Sequence, residues 1–423
     1  MHRWARLGLS ADTPPTAVRI VQALVLAEFL QGLGASAVLP LLPLYLRHHG
    51  TSVAVVGAVM GAYFVAGVFT QYAAGHLADH TGHRGVILGG LATYAAASVL
   101  FAVPVGAGGY IVLRALQGTG AGAVQVAGLA LVGVVVPAAG RGRAFAVVFA
   151  SQLAGMAIGP LAGSAVGVDN LRWLFVATAL VCLSAAIPIS AGTPRMRIEG
   201  EDQRSAPLAI TQPVVGLLLI AVTSGLIVGV YESCWSLLMN SRGAAAWQIG
   251  LSWTLFALPF AAFSPVAGRL VDRLDRRLLA MVSLIVTCAF AASYPFLTHV
   301  WLLMALGTLE SVGVAISYPA AQSMLSQSAV PQALGRAQGA FTTAQTAAIA
   351  VAAAASGALF GVARWVPFIS AAVLGTALSC TLPVLLRTMP ARAATGAETG
   401  FDQIGGEEVA AAGALPAAVH PSA

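Results

Sequence analysis

Between residues 18 and 387, twelve runs of twenty or more mostly apolar residues follow one another with short polar breaks. A helix that crosses a bilayer needs about 20 such residues. The runs lie near 18–46, 53–74, 85–104, 109–136, 143–167, 171–191, 212–239, 247–267, 278–297, 300–327, 337–361 and 365–387. A soluble fold has no place for so many, because much of any folded surface must meet water. Charge is correspondingly scarce. Only 36 of 423 residues are Asp, Glu or Arg, which is 9%, and Lys is absent; an ordinary soluble domain carries about 25%. A net charge of +6 spread so thinly does not make a phosphate-tracking face, so nucleic acid is not an expected partner. The reading is an all-α membrane protein with 12 transmembrane helices.

Arginine placement sets the orientation. With the N-terminus inside, sixteen of the 21 arginines fall on inner segments, four (Arg47, Arg172, Arg242, Arg364) on outer loops, and Arg114 within a helix. That bias follows the positive-inside rule, and it makes both termini cytoplasmic. Trp173, Trp247, Trp301 and Trp365 all fall at outer ends, as an interfacial aromatic belt requires. The run that contains Ala35-Ser36-Ala37, a signal-cleavage lookalike, continues through Leu46 and is long enough to span. Cys182, Cys234, Cys288 and Cys380 each sit in an apolar run without metal-ligand spacing and read as small core hydrophobes.

The chain repeats itself at an offset of 193 residues. Gly50 and Gly57 align with Gly243 and Gly250; Gly75, Leu77, Asp79 and Arg84 align with Gly268, Leu270, Asp272 and Arg277. Gly142-Arg143-Ala144 matches Gly335-Arg336-Ala337. Each half has an even number of spans, so the two six-helix bundles are parallel and pseudo-symmetric, one known plan for transporters with a site between the repeats. The organisation expected is an N-terminal bundle over 1–191, a cytoplasmic linker over 192–211, a C-terminal bundle over 212–389 and a disordered cytoplasmic tail over 390–423.

After the second run the sequence reads Gly75-His76-Leu77-Ala78-Asp79-His80-Thr81-Gly82-His83-Arg84; its copy is Gly268-Arg269-Leu270-Val271-Asp272-Arg273-Leu274-Asp275-Arg276-Arg277. The pair resembles the loop signature of the major facilitator superfamily, and the resemblance covers about 370 residues. His80 and His83 stand where the signature has basic residues, so the fixed charge of the first loop is reduced near neutral pH. Gly75 and Gly268 are expected to allow close backbone approach at the turn. Asp79 is expected to face the start of the eleventh helix near Arg336, and Asp272 the start of the fifth near Arg143, where helix N-termini favour an anion. With Arg84, Arg273 and Arg277 these residues would form cytoplasmic gating loops.

Inside the membrane, Arg114-Ala115-Leu116-Gln117-Gly118 resembles the family's Arg-x-x-Gln-Gly element. An arginine in hydrocarbon needs a partner or a wet cavity; the alternative is snorkelling, since Arg114 lies only about 8 Å from the outer end. The fifth run carries Gly155, Gly159, Pro160 and Gly163 as Gly-x-x-x-Gly-Pro-x-x-Gly, a small-residue stripe with a bend. It resembles the motif of the superfamily's drug/proton antiporters. Glu28, Glu232 and Glu310 are the other buried ionisable candidates, on the first, seventh and tenth runs, with Gln31 and Gln117 as polar companions on the translocation path. The resemblance places the first, fourth, seventh and tenth helices around a central cavity.

Protonating a membrane-buried carboxylate removes its charge and lowers the cost of an occluded state. Glu28 or Glu310 is therefore the expected proton-exchanging group, with Arg114 tuning it. Tyr231, Trp235, Trp253 and Phe256 form either helix-packing core or an aromatic wall for flat lipophilic cations. Three functions remain in view. They are a proton-coupled exporter of drugs or lipophilic compounds, a facilitator or exporter of a sugar or small metabolite, and a membrane scaffold without transport. The antiporter-like motif and the buried charges favour the first, working as a monomer in the cell (inner) membrane. No phosphate loop, metal cluster or nucleophile constellation is present in the sequence, so neither enzyme chemistry nor a cofactor is expected.

Overall fold

The computed structural model describes residues 13–193, 209–328 and 334–390. The expected linker and tail lie almost wholly outside the described residues. Twelve spans follow in order: α1 (Pro15–His48), α2 (Val53–Thr81), α3 (His83–Phe101), α4 (Ala107–Val135), α5 (Ala138–Ser164), α6 (Leu171–Gly192), α7 (Gln212–Ser241), α8 (Ala246–Arg273), α9 (Arg276–Phe296), α10 (Val300–Ser328), α11 (Leu334–Val362) and α12 (Val366–Leu385). Proline accounts for the interruptions. α1 breaks between Val38 and Leu42, around Pro40. α6 breaks at Ala185, where Pro188 cannot donate to Ser184, and α12 at Thr381, where Pro383 cannot donate to Ser379. Pro160 and Pro319 instead sit inside helices that continue past them.

Packing repeats between the halves. α1 packs on α5 and α6, α4 on α2 and α3; correspondingly α7 packs on α11 and α12, α10 on α8 and α9. The halves meet through two symmetry-related pairs, α2 with α11 and α5 with α8. Lipid gives no hydrophobic drive between helices, so contact depends on small residues that let backbones approach. The repeat-related glycines supply them. A Cβ on Gly57 would sit 2.7 Å from the Gly357 nitrogen, and one on Gly250 would collide with the Pro160 carbonyl and the Ser164 hydroxyl. Gly61 lies equally close to the Ala350 carbonyl, and the Thr254 hydroxyl donates to the Ala157 carbonyl at 2.7 Å.

All these seams lie toward the outer ends. One apolar core there contains Leu41, Val56 and Tyr110 from the first half with Trp235, Ile249 and Ala353 from the second. Toward the inner ends the core divides in two, one around Ile20, Ile87 and Val132 and the other around Leu217, Leu284 and Phe341. On α2 the face that carries Gly57 and Gly61 continues inward to Tyr72, which is 88% exposed. The halves are thus joined outside and parted inside, and the space between them opens to the arginine-rich cytoplasmic side.

Trp173, Trp247, Trp301 and Trp365 are exposed at the outer starts of their helices, as a belt requires. Cys182, Cys234 and Cys288 are buried; Cys380, expected in the core, is exposed. A hydropathy run does not say which flank of a helix faces its bundle.

Candidate functional site

Two cavities flank α7, and their chemistry differs. The first, of about 250 Å³, lies mainly within the N-terminal half. Its wall includes Arg114, Gln31, Gln71, Gln125, Gln152 and, from the other half, Glu232. Arg114 is 4% exposed and does not snorkel. Its Nη1 donates to Gln117 Oε1 at 2.8 Å, and Gln117 Nε2 donates to Ser98 Oγ at 2.9 Å. Its guanidinium stacks 4.4 Å above the Tyr63 ring, a cation–π contact. Gly118 allows α4 to approach this close, since a Cβ there would collide with the Tyr63 carbonyl. Gln117 is thus the side chain that orients the arginine from behind.

The second cavity, of about 140 Å³, lies within the C-terminal half between α7, α8, α9 and α10. Tyr231, Trp235, Trp253 and Phe256 all line it, together with Glu310. The aromatic wall is therefore a real surface and more than helix packing. Glu310 is 1% exposed, and both of its oxygens accept hydrogen bonds, Oε1 from Tyr231 at 2.9 Å and Oε2 from Tyr294 at 2.5 Å. A phenol can donate or accept. The same two tyrosines can hold a carboxylate, which accepts from both, or a carboxylic acid, which donates to one and accepts from the other.

Glu28 is 3% exposed and accepts from Gln152 Nε2 at 3.1 Å, between α1 and α5. The structure thus brings Arg114, Gln31 and Glu232 to one cavity, puts Glu310 on the other, and sets Glu28 behind Gln152. The glycines of α5 have an internal task. Cβ atoms on Gly155, Gly159 and Gly163 would collide with α1 at Phe29, Ser36 and Ala37. In the second half the equivalent contact rests on Gly225 and Gly229 of α7 against α11; Gly225 stands at the repeat position of Gly32, which packs closely on Gln152 of α5 in the first half.

The signature segments need one correction. α2 runs to Thr81 and α8 to Arg273, beyond the apolar runs, so Gly75, Asp79, Gly268, Asp272 and Arg273 lie on the last helical turns and not in loops. Hydropathy stops at the bilayer surface, but the backbone hydrogen bonds do not. A Cβ on Gly75 would make only an ordinary 3.6 Å contact with Val126, so close approach does not explain this glycine. The turn glycine is Gly82, at φ +95°, a conformation that side chains disfavour. Its counterpart Asp275 instead caps α9, accepting from the Arg277 and Leu278 backbone N–H groups and pairing with the Arg277 guanidinium at 2.9 Å. The hydrogen bond from the Arg277 side chain holds the Asp275 carboxyl below its usual range. Arg84 donates to the Thr193 carbonyl just past α6, and Arg277 to the Arg387 and Met389 carbonyls just past α12. Each thereby anchors the last helix of its own half. The side chains of Asp79 and Asp272, and with them the expected contacts to Arg336 and Arg143, lie outside the described residues.

Sequence reasoning missed Tyr63, Tyr294 and Gln152. Tyr294 reaches Glu310 from the end of α9, where it still holds helical dihedrals and its backbone N–H donates to the Phe290 carbonyl. A glutamine inside an apolar run was the available signal for Gln71, Gln125 and Gln152.

The family model described as "Major Facilitator Superfamily" matches residues 24–230 and 216–417. An uncharacterized MFS-type transporter of Mycobacterium tuberculosis is 31% identical over 233 residues, 50% of this chain and 32% of that one. The match therefore spans about a third of that relative's length. The multidrug resistance protein MdtG of Salmonella paratyphi C is 25% identical over 343 residues, 77% of this chain and 85% of its own. Among solved structures, a D-xylose-proton symporter superposes with a TM-score of 0.68 at 14% identity, covering 86% of this chain and 96% of that one. At that identity the likeness concerns the fold alone.

Proposed function

The chain belongs to the major facilitator superfamily of membrane transporters, and from that premise we propose that it is a proton-coupled exporter of small lipophilic compounds. It works as a monomer in the cell's inner membrane, alternating between the inward-open arrangement described here and an outward-open one. The observation that carries this reading is Glu310: a carboxylate at bilayer depth on the wall of an aromatic cavity, held by two phenols that suit either protonation state. Similarity to a multidrug resistance protein and the glycine–proline motif of α5 point the same way. Loading a proton from outside and releasing it inside would return the empty carrier, and Glu28 is the second candidate for that group. One inward proton yields about 2.3 kcal/mol per 100 mV, enough to hold about a fiftyfold gradient of a neutral solute.

The test is efflux of a fluorescent lipophilic dye from proteoliposomes under an imposed proton gradient. Uncoupler should collapse uphill efflux, and Glu310→Gln or Glu28→Gln should abolish it. If both variants keep pH-dependent uphill transport, the carboxylate assignment is wrong. Asp79→Asn and Asp272→Asn in the same assay test the cytoplasmic latch; unchanged rates in both would remove it. A sugar or metabolite carrier is the second reading, favoured by the glutamine-lined cavity, whose amides suit hydroxyl-rich solutes. Dye efflux that ignores the uncoupler would favour it.

A further inference from the structure

The two cavities leave different polar groups unsatisfied, and those groups describe a ligand. Arg114 is held by Gln117 and Tyr63, yet its Nε is buried with no partner. Across the same cavity Glu232, from the other half, has a buried Oε2 that likewise lacks one. The two side chains carry opposite charge but form no ion pair; among the described residues the ion pair present is Arg277–Asp275. Buried charge without a partner is costly, and a bare polar wall is an incomplete one. In the aromatic cavity the situation is reversed. Glu310 already has both phenol bonds, and the unpartnered polar atom is the Trp253 indole Nε1, a hydrogen-bond donor. Consecutive residues of α7 separate the two environments: Tyr231 lines the aromatic cavity and Glu232 the polar one.

We propose that the preferred substrate is an aromatic zwitterion. Its anionic group binds Arg114, its cationic group binds Glu232, and its flat apolar body lies against Phe64 and Tyr94 on the wall of the same cavity. A simple lipophilic cation would satisfy Glu232 but confront Arg114, and a simple anion would do the opposite. Because Arg114 and Glu232 belong to different halves, such a ligand bridges the moving parts. This inference rests on the export reading for its direction of transport, but not for its chemistry.

The test uses three matched fluorescent probes on the purified full-length protein in nanodiscs. They are Nε-dansyl-lysine, which is zwitterionic; dansylcadaverine, which lacks the carboxylate; and dansyl-6-aminohexanoic acid, which lacks the amine. Nε-dansyl-lysine is expected to bind at least about tenfold tighter than either, the effect of one added hydrogen bond to a charged group. Arg114→Gln should erase its advantage over dansylcadaverine, and Glu232→Gln its advantage over the acid. Equal affinity for the three, tighter binding of dansylcadaverine or the acid, or binding of none by the unaltered protein would overturn the proposal without requiring any variant to fold. Uncoupler-sensitive export of dansylcadaverine with no zwitterion preference would sink this inference and leave the export reading. Zwitterion preference with no proton-dependent transport would do the reverse.

Discussion

The two halves share a backbone plan and differ in what they place in it. Offsets of 193 residues relate Gly57 to Gly250 and Arg84 to Arg277, and each pair does the same job in both halves: sealing the outer seam, or anchoring the last helix of the bundle. At the same offset Gln117 stands against Glu310, and Gly82 against Asp275. The residues that seal the outer seam and anchor the last helices are repeated, whereas a cytoplasmic turn residue and the buried polar group at depth have diverged. One half presents an arginine backed by a glutamine, the other a carboxylate clasped by tyrosines.

The sharpest way to break the comparison is Glu310→Gln, which gives the second half the residue type of the first. Uphill dye efflux should fall to background, losing the roughly fiftyfold gradient per 100 mV, while downhill exchange continues. Initial rates with and without an imposed proton gradient separate the two. If uphill transport survives, the difference at this repeat position does not drive coupling.

A smaller effect is expected at the seam. Gly57→Leu and Gly250→Leu each force a side chain against backbone, costing about 1–3 kcal/mol in the closed outer seam and raising the outward-open population about tenfold or more. Labelling of a Thr254→Cys probe by an impermeant thiol reagent from outside, in a background without the four native cysteines, reads that shift. Equal responses to the two substitutions would support a symmetric seam; a response to only one would show that a single helix pair seals the outer side.

The smallest effect belongs to the cytoplasmic turns. Asp275→Ala removes a helix cap and should cost about 1 kcal/mol, and Gly82→Ala a similar amount through its positive φ. The two should differ in pH dependence. The Asp275 carboxyl is held below its usual range, so its contribution is complete above the unfolded-state value and fades as pH falls through the folded one. Thermal unfolding from pH 7 down to about pH 3 should show the Asp275→Ala deficit closing with acid and the Gly82→Ala deficit unchanged.

Much of this fold is legible in the sequence. Twelve apolar runs gave the twelve spans, with ends off by a few residues where helices outrun the bilayer. A charged or amide side chain in hydrocarbon announces itself in any sequence, and so Glu28, Arg114, Glu232 and Glu310 stood out. Their partners did not. Tyr63, Tyr294 and Gln152 are ordinary residues until long-range packing places them. The stripe of Gly155, Gly159 and Gly163 was visible, but not that it packs against α1.

Sequence alone determined the number of crossings, their orientation and which few polar groups lie at depth. The bilayer imposes those as local rules, span by span, through the cost of exposing charge or backbone to hydrocarbon. Tertiary structure alone decided which side of the carrier is open, which cavity each charged group faces, and that Arg114 and Glu232 share a space without pairing. Those depend on the rotation of each helix about its own axis and on contacts between residues more than a hundred positions apart, as between Glu28 and Gln152, and no local periodicity encodes them.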